Sequence, residues 1–283
     1  MPGAQSEAKV ALLGARAVLR ISGADARTWL QGLVTNDVEH IAAGEARFAA
    51  FLTPQGKIIA DFFIVPDGDG LLLDCAADAA AGLAKRLTMY KLRAQVAVSD
   101  VSGSLAVAAG WGGPGPLATQ GRIFDDPRDA RLGWRVIAPP SEIEKLGEPA
   151  SESEWQAHRI ACGTPEGGVD FVWGDTFPHE ANMDRLNGID FKKGCYVGQE
   201  VVSRVQHRGL ARKRVSQVRI TGAAPPPGTE VFAGDIAIGV MGSSAGGAGL
   251  ALLRLDKAED ARAGGRALTA QDATLSVITP PVT

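Results

Sequence analysis

The sequence predicts an α+β fold followed by a small all-β barrel, and three observations carry that expectation. Strand-like runs joined by tight turns between residues 46 and 76 sit among helix-like runs, with no regular strand–helix–strand alternation. After about residue 210 the texture changes to short apolar runs cut by Gly- and Pro-rich turns. A chain of 283 residues that is 45% apolar and 22% charged is long enough for one large domain or two smaller ones with real cores.

The elements follow in order. "AVLRISG" reads as a strand, and "DARTWLQGLV" as a helix with Asp25 at its N-cap and Ala26, Trp29, Leu30 and Leu33 on one face. "ARFAAFLT", "KIIADFFIV" and "LLLDCA" read as antiparallel strands separated by the turns "PQG" and "PDGDG". The helix "DAAAGLAKRLTMYKL" and the strand "AQVAVSDVS" come next. Residues 111–150 are rich in Gly and Pro with weak periodicity, so irregular packing is expected there, with short helices at "WQAHRIACG" and "PHEANMDRL". "VSQVRI", "TEVFA", "IAIGVMGS", "GLALLRL" and "ATLSVITP" supply strands for a barrel of about 70 residues. The expected division is 1–207 for the α+β region and 208–283 for the barrel.

The N-terminus lacks both a secretory pattern and an Arg-rich transit pattern, and no run of about 18 uncharged apolar residues occurs. A cytoplasmic protein with no membrane partner is therefore expected. Cys75, Cys162 and Cys195 are odd in number and far apart, and the four histidines are scattered, so no disulfide framework or metal motif is expected. The net charge of −3 hides an asymmetry: Arg185 to Arg219 holds nine Lys/Arg against two acids. That stretch is either a landing surface for an anion or a solvated charged face. Without aromatic-interleaved motifs, nucleic acid is not expected as a direct ligand.

"DFKKGCYVGQE" poses a sharper question. The run "GQEVVSRVQ" can begin a helix, which places Cys195 just ahead of a helix N-terminus, where the dipole and the cations Lys192 and Lys193 favour a thiolate. Two readings stand: a reactive thiol, or a small cysteine buried at a tight loop.

"KGCYVGQE" closely resembles the signature of the folate-binding YgfZ family, and the resemblance covers nearly the whole chain through "WLQGLVTND", "LTPQGKIIAD", "LTMYKLRAQVAVSDVS" and "GLALLRL". It implies a T-protein-like folate-binding region, as in the aminomethyltransferase of the glycine cleavage system, followed by the barrel. It further implies binding of tetrahydrofolate or a one-carbon derivative, and a role with client or assembly proteins in making or repairing iron–sulfur clusters, with a link to tRNA modification. By the same resemblance, Cys195 and Asp61 would be catalytic. Asp61, Asp74, Tyr90, Arg93, Lys193, Tyr196, Gln199, Glu200 and Arg204 would hold the folate. Asp61 also admits a plainer reading, as an aspartate at the exposed edge of a hairpin strand.

The sequence departs from the transferase pattern in three places: "DCA" at Asp74–Ala76, "RIACG" at Arg159–Gly163, and Arg135 in "GWRV" where a pterin-pocket carboxylate is expected. Aminomethyl transfer is thus expected to be lost. Retention of Asp61 keeps an active tetrahydrofolate-dependent one-carbon transferase as the alternative.

Overall fold

In the computed structural model, which describes residues 7–116, 119–209 and 211–278, the first two strands diverge. Lys9–Leu12 (β1) joins one sheet and Arg16–Ser22 (β2) another. The helix Ala26–Gln31 (α1) follows, and then Arg47–Leu52 (β3), Ile58–Asp67 (β4) and Gly70–Ala76 (β5) run as the expected antiparallel meander. Asp25 flanks α1 without capping it through its side chain; its carboxylate instead accepts a hydrogen bond from the Gln95 amide at 2.7 Å. The helix Ala77–Tyr90 (α2) and strand Ala97–Asp100 (β6) complete a sheet of order β3-β4-β5-β2-β6.

The region expected to be irregular is more ordered than its composition suggests. Ala106–Trp111 (β7), Arg122–Asp125 (β8), Trp134–Ala138 (β9) and Glu148–Ala150 (β10) join β1 in a second sheet of order β10-β1-β7-β9-β8. All five residues of β9 are buried, so it has no polar alternation to betray it, while β1 is only four residues long and β7 is alanine-rich with a single β-branched residue, Val107. Pro140–Ile143 (α3) and Glu152–Ala161 (α4) follow, and α4 starts from a capping box made by Ser151 and Glu154. The helix expected at "PHEANMDRL" is a series of turns instead. Its polar groups are drawn to the barrel: Asn182, at φ +59°, donates to the Val215 carbonyl at 2.7 Å, and Asp184 pairs with Arg214 at 2.8 Å. Those tertiary bonds override local helix preference.

Gln199–Arg208 (α5) leads into the barrel, formed by Lys213–Thr221 (β11), Glu230–Ala233 (β12), Ile236–Ala245 (β13), Ala248–Arg254 (β14), Leu268–Ala270 (β15) and Ala273–Val277 (β16). It is closed, in the order β11-β14-β13-β12-β15-β16, with the helix Leu255–Ala263 (α6) between β14 and β15. The end of the last expected strand, at 279–280, lies outside the described residues. No helix among the described residues is long and apolar enough to cross a membrane.

The two five-stranded sheets enclose the main core between them, while α1 and α2 cover the outer face of the first sheet over a second apolar cluster. The period of two in a strand decides what faces inward. Register pairs Phe63 with Asp74 and Arg16 with Ala76, so Arg16, Asp61, Phe63 and Asp74 share the inner face of the first sheet. In the second sheet Arg135 stands opposite Ala109 and Phe124, both members of the main core. Charged groups therefore meet inside an apolar sandwich.

Candidate functional site

Most buried charge in the interior is matched by opposite charge. Asp74 is wholly buried; Arg16 Nε donates to its Oδ1 at 2.6 Å, and Arg135 Nη2 donates to its Oδ2 at 2.7 Å. Burial works against the Asp74 carboxylate, yet the charges of Arg135 and Arg16 outweigh it and hold its pKa below the usual range. Arg128 pairs with Asp126 at 2.8 Å, and Arg159 with Asp170 at 2.7 Å. Glu166 accepts from Gln156 at 3.1 Å beside Arg159. Phe63 offers its ring to Arg135, whose guanidinium carbon lies 4.4 Å from the centroid, and to Arg128 at 4.8 Å.

Asp61 is buried, not at the exposed edge of its hairpin, and accepts a hydrogen bond from Trp173 Nε1 at 2.8 Å. Burial pushes its pKa up, against the Trp173 hydrogen bond and the charge of Arg16. Gly167 covers it so closely that a β-carbon there would lie 2.1 Å from Asp61 Oδ1. The cavity bounded by Arg16, Phe63, Arg128, Arg135, Arg159 and Glu166 measures about 10 Å³, room for about one water. A reduced folate does not fit that small cavity as packed, but a larger one of about 500 Å³ opens beside it, lined among others by Ala76, Gln156, Arg159, Glu166 and Gly167.

Of the remaining folate contacts implied by the resemblance, Tyr196 alone reaches the core between the sheets. Tyr90 and Arg93 lie at the exposed end of α2, where the Tyr90 ring packs edge-on against Phe51 at 5.4 Å. Tyr196 is buried in the main core. Gln199 opens α5, and Glu200 pairs with Arg204 along the exposed face of that helix at 2.6 Å.

Lys193 departs furthest from its expected place beside the thiol. Its ammonium donates to the carbonyls of Gln31 and Val34 at 2.7 Å and of Asn36 at 2.9 Å, at the C-terminal end of α1. Burial lowers its pKa to about 8, against the charges of Asp37 and Asp190. Three cations of the basic segment are spoken for: Lys193 is held by carbonyls, Arg214 is buried against Asp184, and Arg204 pairs with Glu200, while Lys192, Arg208, Arg212, Lys213 and Arg219 stay exposed.

What these bonds build is a frame for Cys195. Thr35 Oγ1 donates to the Gly188 carbonyl at 2.6 Å, Asn36 Nδ2 donates to the Asn187 carbonyl at 2.7 Å, and the Asp190 amide donates to the Thr35 carbonyl at 2.9 Å. The loop is thus laced to "VTND" on one side. On the other, Gly198, at φ +84°, lies against the glycine hairpin, and a β-carbon there would meet the Thr53 carbonyl oxygen at 2.6 Å. Between these anchors Cys195 is exposed, whereas Cys75 is buried and Cys162 half-buried. The three sequence motifs converge on holding one thiol in solvent. Thr35, Asn36, Arg16, Arg128 and Trp173 were not singled out by the sequence, although lone charges inside apolar runs, such as Asp74 in "LLLDCA", do signal buried ion pairs.

The fold and this geometry define a class: a T-protein-like α+β region carrying a closed six-stranded barrel. Two family models match it, the GCVT N-terminal domain over residues 10–120 and the CAF17 C-terminal beta-barrel domain over residues 212–283. The aminomethyltransferase T of the glycine cleavage system from Bartonella henselae superposes with a TM-score of 0.75 over 99% of this chain and 87% of its own, at 14% identity, which shows the shared fold. The chain belongs to the family of the iron-sulfur cluster assembly factor IBA57. The human mitochondrial member is 32% identical over 274 residues, covering 87% of this chain and 77% of its own. The Mycosarcoma maydis member is 34% identical over 237 residues, covering 77% of this chain and 59% of its own. The chain spans little more than half the length of that and two other fungal relatives, at 59%, 54% and 55%. These relatives carry the IBA57 name, not that of the YgfZ family. Each is named as a mitochondrial protein, which overturns the expectation of a cytoplasmic one.

Proposed function

We propose that this protein serves the assembly or repair of iron–sulfur clusters in client proteins, with Cys195 as the thiol that meets the cluster. The observation that carries this reading is the exposure of Cys195 on a loop pinned from both sides. An iron–sulfur cluster is commonly held by four thiolates. Among the described residues no group of three or more His, Cys, Asp or Glu is placed to hold a metal ion. Cys195 therefore acts with ligands from a partner, on a cluster that is cargo. The relatives' name, iron-sulfur cluster assembly factor, supports the same reading. Within it, residues 1–207 present the thiol and residues 208–283 form the barrel unit.

The test is to mix the protein with a [2Fe–2S]-loaded carrier protein and record visible circular dichroism, which reports the ligand environment of the cluster. A new spectrum with the wild type that is absent with Cys195→Ser is expected. An identical spectrum for both proteins would remove Cys195 from the cluster.

Binding of tetrahydrofolate or a one-carbon derivative is a finer reading, and the interior sets its condition. A pterin seated between the sheets beside Arg135 would have to displace that guanidinium from Asp74, breaking a buried ion pair at a cost of several kcal/mol. Tetrahydrofolate at millimolar concentration is therefore expected to raise the melting temperature by less than about 1 °C, against the several degrees that saturation would give. A saturating rise of several degrees would restore folate to the function. On the same ground, with Asp61 beneath Gly167 and Trp173, aminomethyl transfer is not part of the proposed function.

A further inference from the structure

The segment "KRLTMYKLR", residues 85–93, contains four cations and no acid. The resemblance placed it in a folate pocket, but the structure puts it on the surface. None of Lys85, Arg86, Lys91 and Arg93 forms an ion pair among the described residues. Between them stand Met89, 69% exposed, and Leu92, 90% exposed. Leu92 has φ +47°, a left-handed conformation unfavourable for a residue with a β-carbon, so the backbone is held where it turns this apolar side chain outward. The face lies beside the Cys195 frame. Trp29 Nε1 donates to the Tyr90 carbonyl at 3.2 Å, and Val197, two residues beyond Cys195, packs against the same apolar cluster as Trp29. Lys193 in turn ties the thiol loop to Gln31 at the end of the helix that carries Trp29.

We infer that the end of α2, with Met89 and Leu92 inside a rim of Lys85, Arg86, Lys91 and Arg93, is the docking face for an acidic, cysteine-bearing iron–sulfur carrier protein. This inference rests on the reading of Cys195 given above. An apolar centre with a charged rim is the anatomy of a specific protein interface, and unpaired cations call for an acidic partner. The missing cluster ligands call for a partner with thiolates, and continuity with the Cys195 loop lets one partner meet both. The rim cations would steer its approach and make the encounter sensitive to salt.

The experiment uses a purified acidic carrier loaded with a [2Fe–2S] cluster, titrated into the full chain at about 50 mM and about 300 mM salt. Leu92→Asp combined with Lys91→Glu is expected to weaken binding at least about tenfold at low salt, and wild-type binding is expected to weaken at high salt. Leu92 is exposed and Lys91 is half-buried without an ion pair among the described residues, so the melting temperature should move by less than about 2 °C. Visible circular dichroism with Cys195→Ser is read in parallel. If the face variant binds as tightly as the wild type while Cys195→Ser still loses the cluster spectrum, the docking face is wrong and the thiol reading stands. If the wild type neither binds the carrier nor alters its spectrum, both fall. If the face captures anionic phosphatidylglycerol vesicles in place of the carrier, and the variant abolishes that capture, the surface belongs to a membrane and the inference is overturned.

Discussion

Asp74→Ala is expected to destabilise the protein by about 3–5 kcal/mol, because it leaves two buried guanidinium groups without their counter-charge. Arg16 and Arg135 both donate to that carboxylate, and neither side chain is more than 7% exposed. For a chain of this size the fall in melting temperature is roughly 6–20 °C. The effect should carry a pH signature. The folded-state pKa of Asp74 lies below its unfolded value, so its contribution is fully present above about pH 4 and is lost as pH falls through the folded pKa. The gap in urea midpoint between wild type and Asp74→Asn is therefore expected to be wide at neutral pH and to narrow in acid. Asp61 works in the opposite sense, since its raised pKa makes the folded state bind a proton more tightly and lose stability as pH rises through that value. Replacing Asp74, Arg16 and Arg135 together by apolar residues should recover much of the loss, because no buried charge of the triad is then left without its partner. A triple variant no more stable than Asp74→Ala would show that packing, not charge, holds this site.

The sequence shows the fold and the site to different depths, for physical reasons. The meander β3–β5 was legible because the turns at "PQG" and "PDGDG" and the apolar runs between them are local signals. The second sheet was not, because β9 is buried on both faces and β1 pairs with strands about 100 and 140 residues away. Cys195 was legible through its glycines and the helix that follows. The true partner of Lys193 was not, since three backbone carbonyls at the end of α1 leave no mark on sequence. Asp74 and Arg135 each showed as a departure from the transferase pattern. Only the structure shows that the two departures are one event, a buried ion pair between the two sheets.

Cys195→Ser is expected to leave the fold intact and abolish function in the cell. The side chain is exposed, and the bonds that fix its loop come from Lys193, Thr35, Asn36 and the Asp190 backbone. Replacing sulfur by oxygen there removes no packing, so the melting temperature should move by less than about 1 °C. The three cysteines also differ in reactivity for reasons on the page. Burial pushes the Cys75 thiol up to about 12, which leaves only about one molecule in 100,000 ionised at neutral pH. Cys162 is half-buried and raised as well, its sulfur 3.9 Å from His158 Nε2. Iodoacetamide at neutral pH should therefore label one site rapidly, and peptide mapping should place it at Cys195. Complementation of a strain lacking its own family member separates the two roles a cysteine can have. A structural cysteine would lower the melting temperature by several degrees on replacement and spare the client enzymes of any protein that still folds. A cluster-facing thiol would do the reverse, because serine preserves the shape of the loop while its hydroxyl is a poor ligand for iron held among thiolates. Unchanged stability with failed complementation is the expected pair of results, and growth restored by Cys195→Ser would take the thiol out of the mechanism.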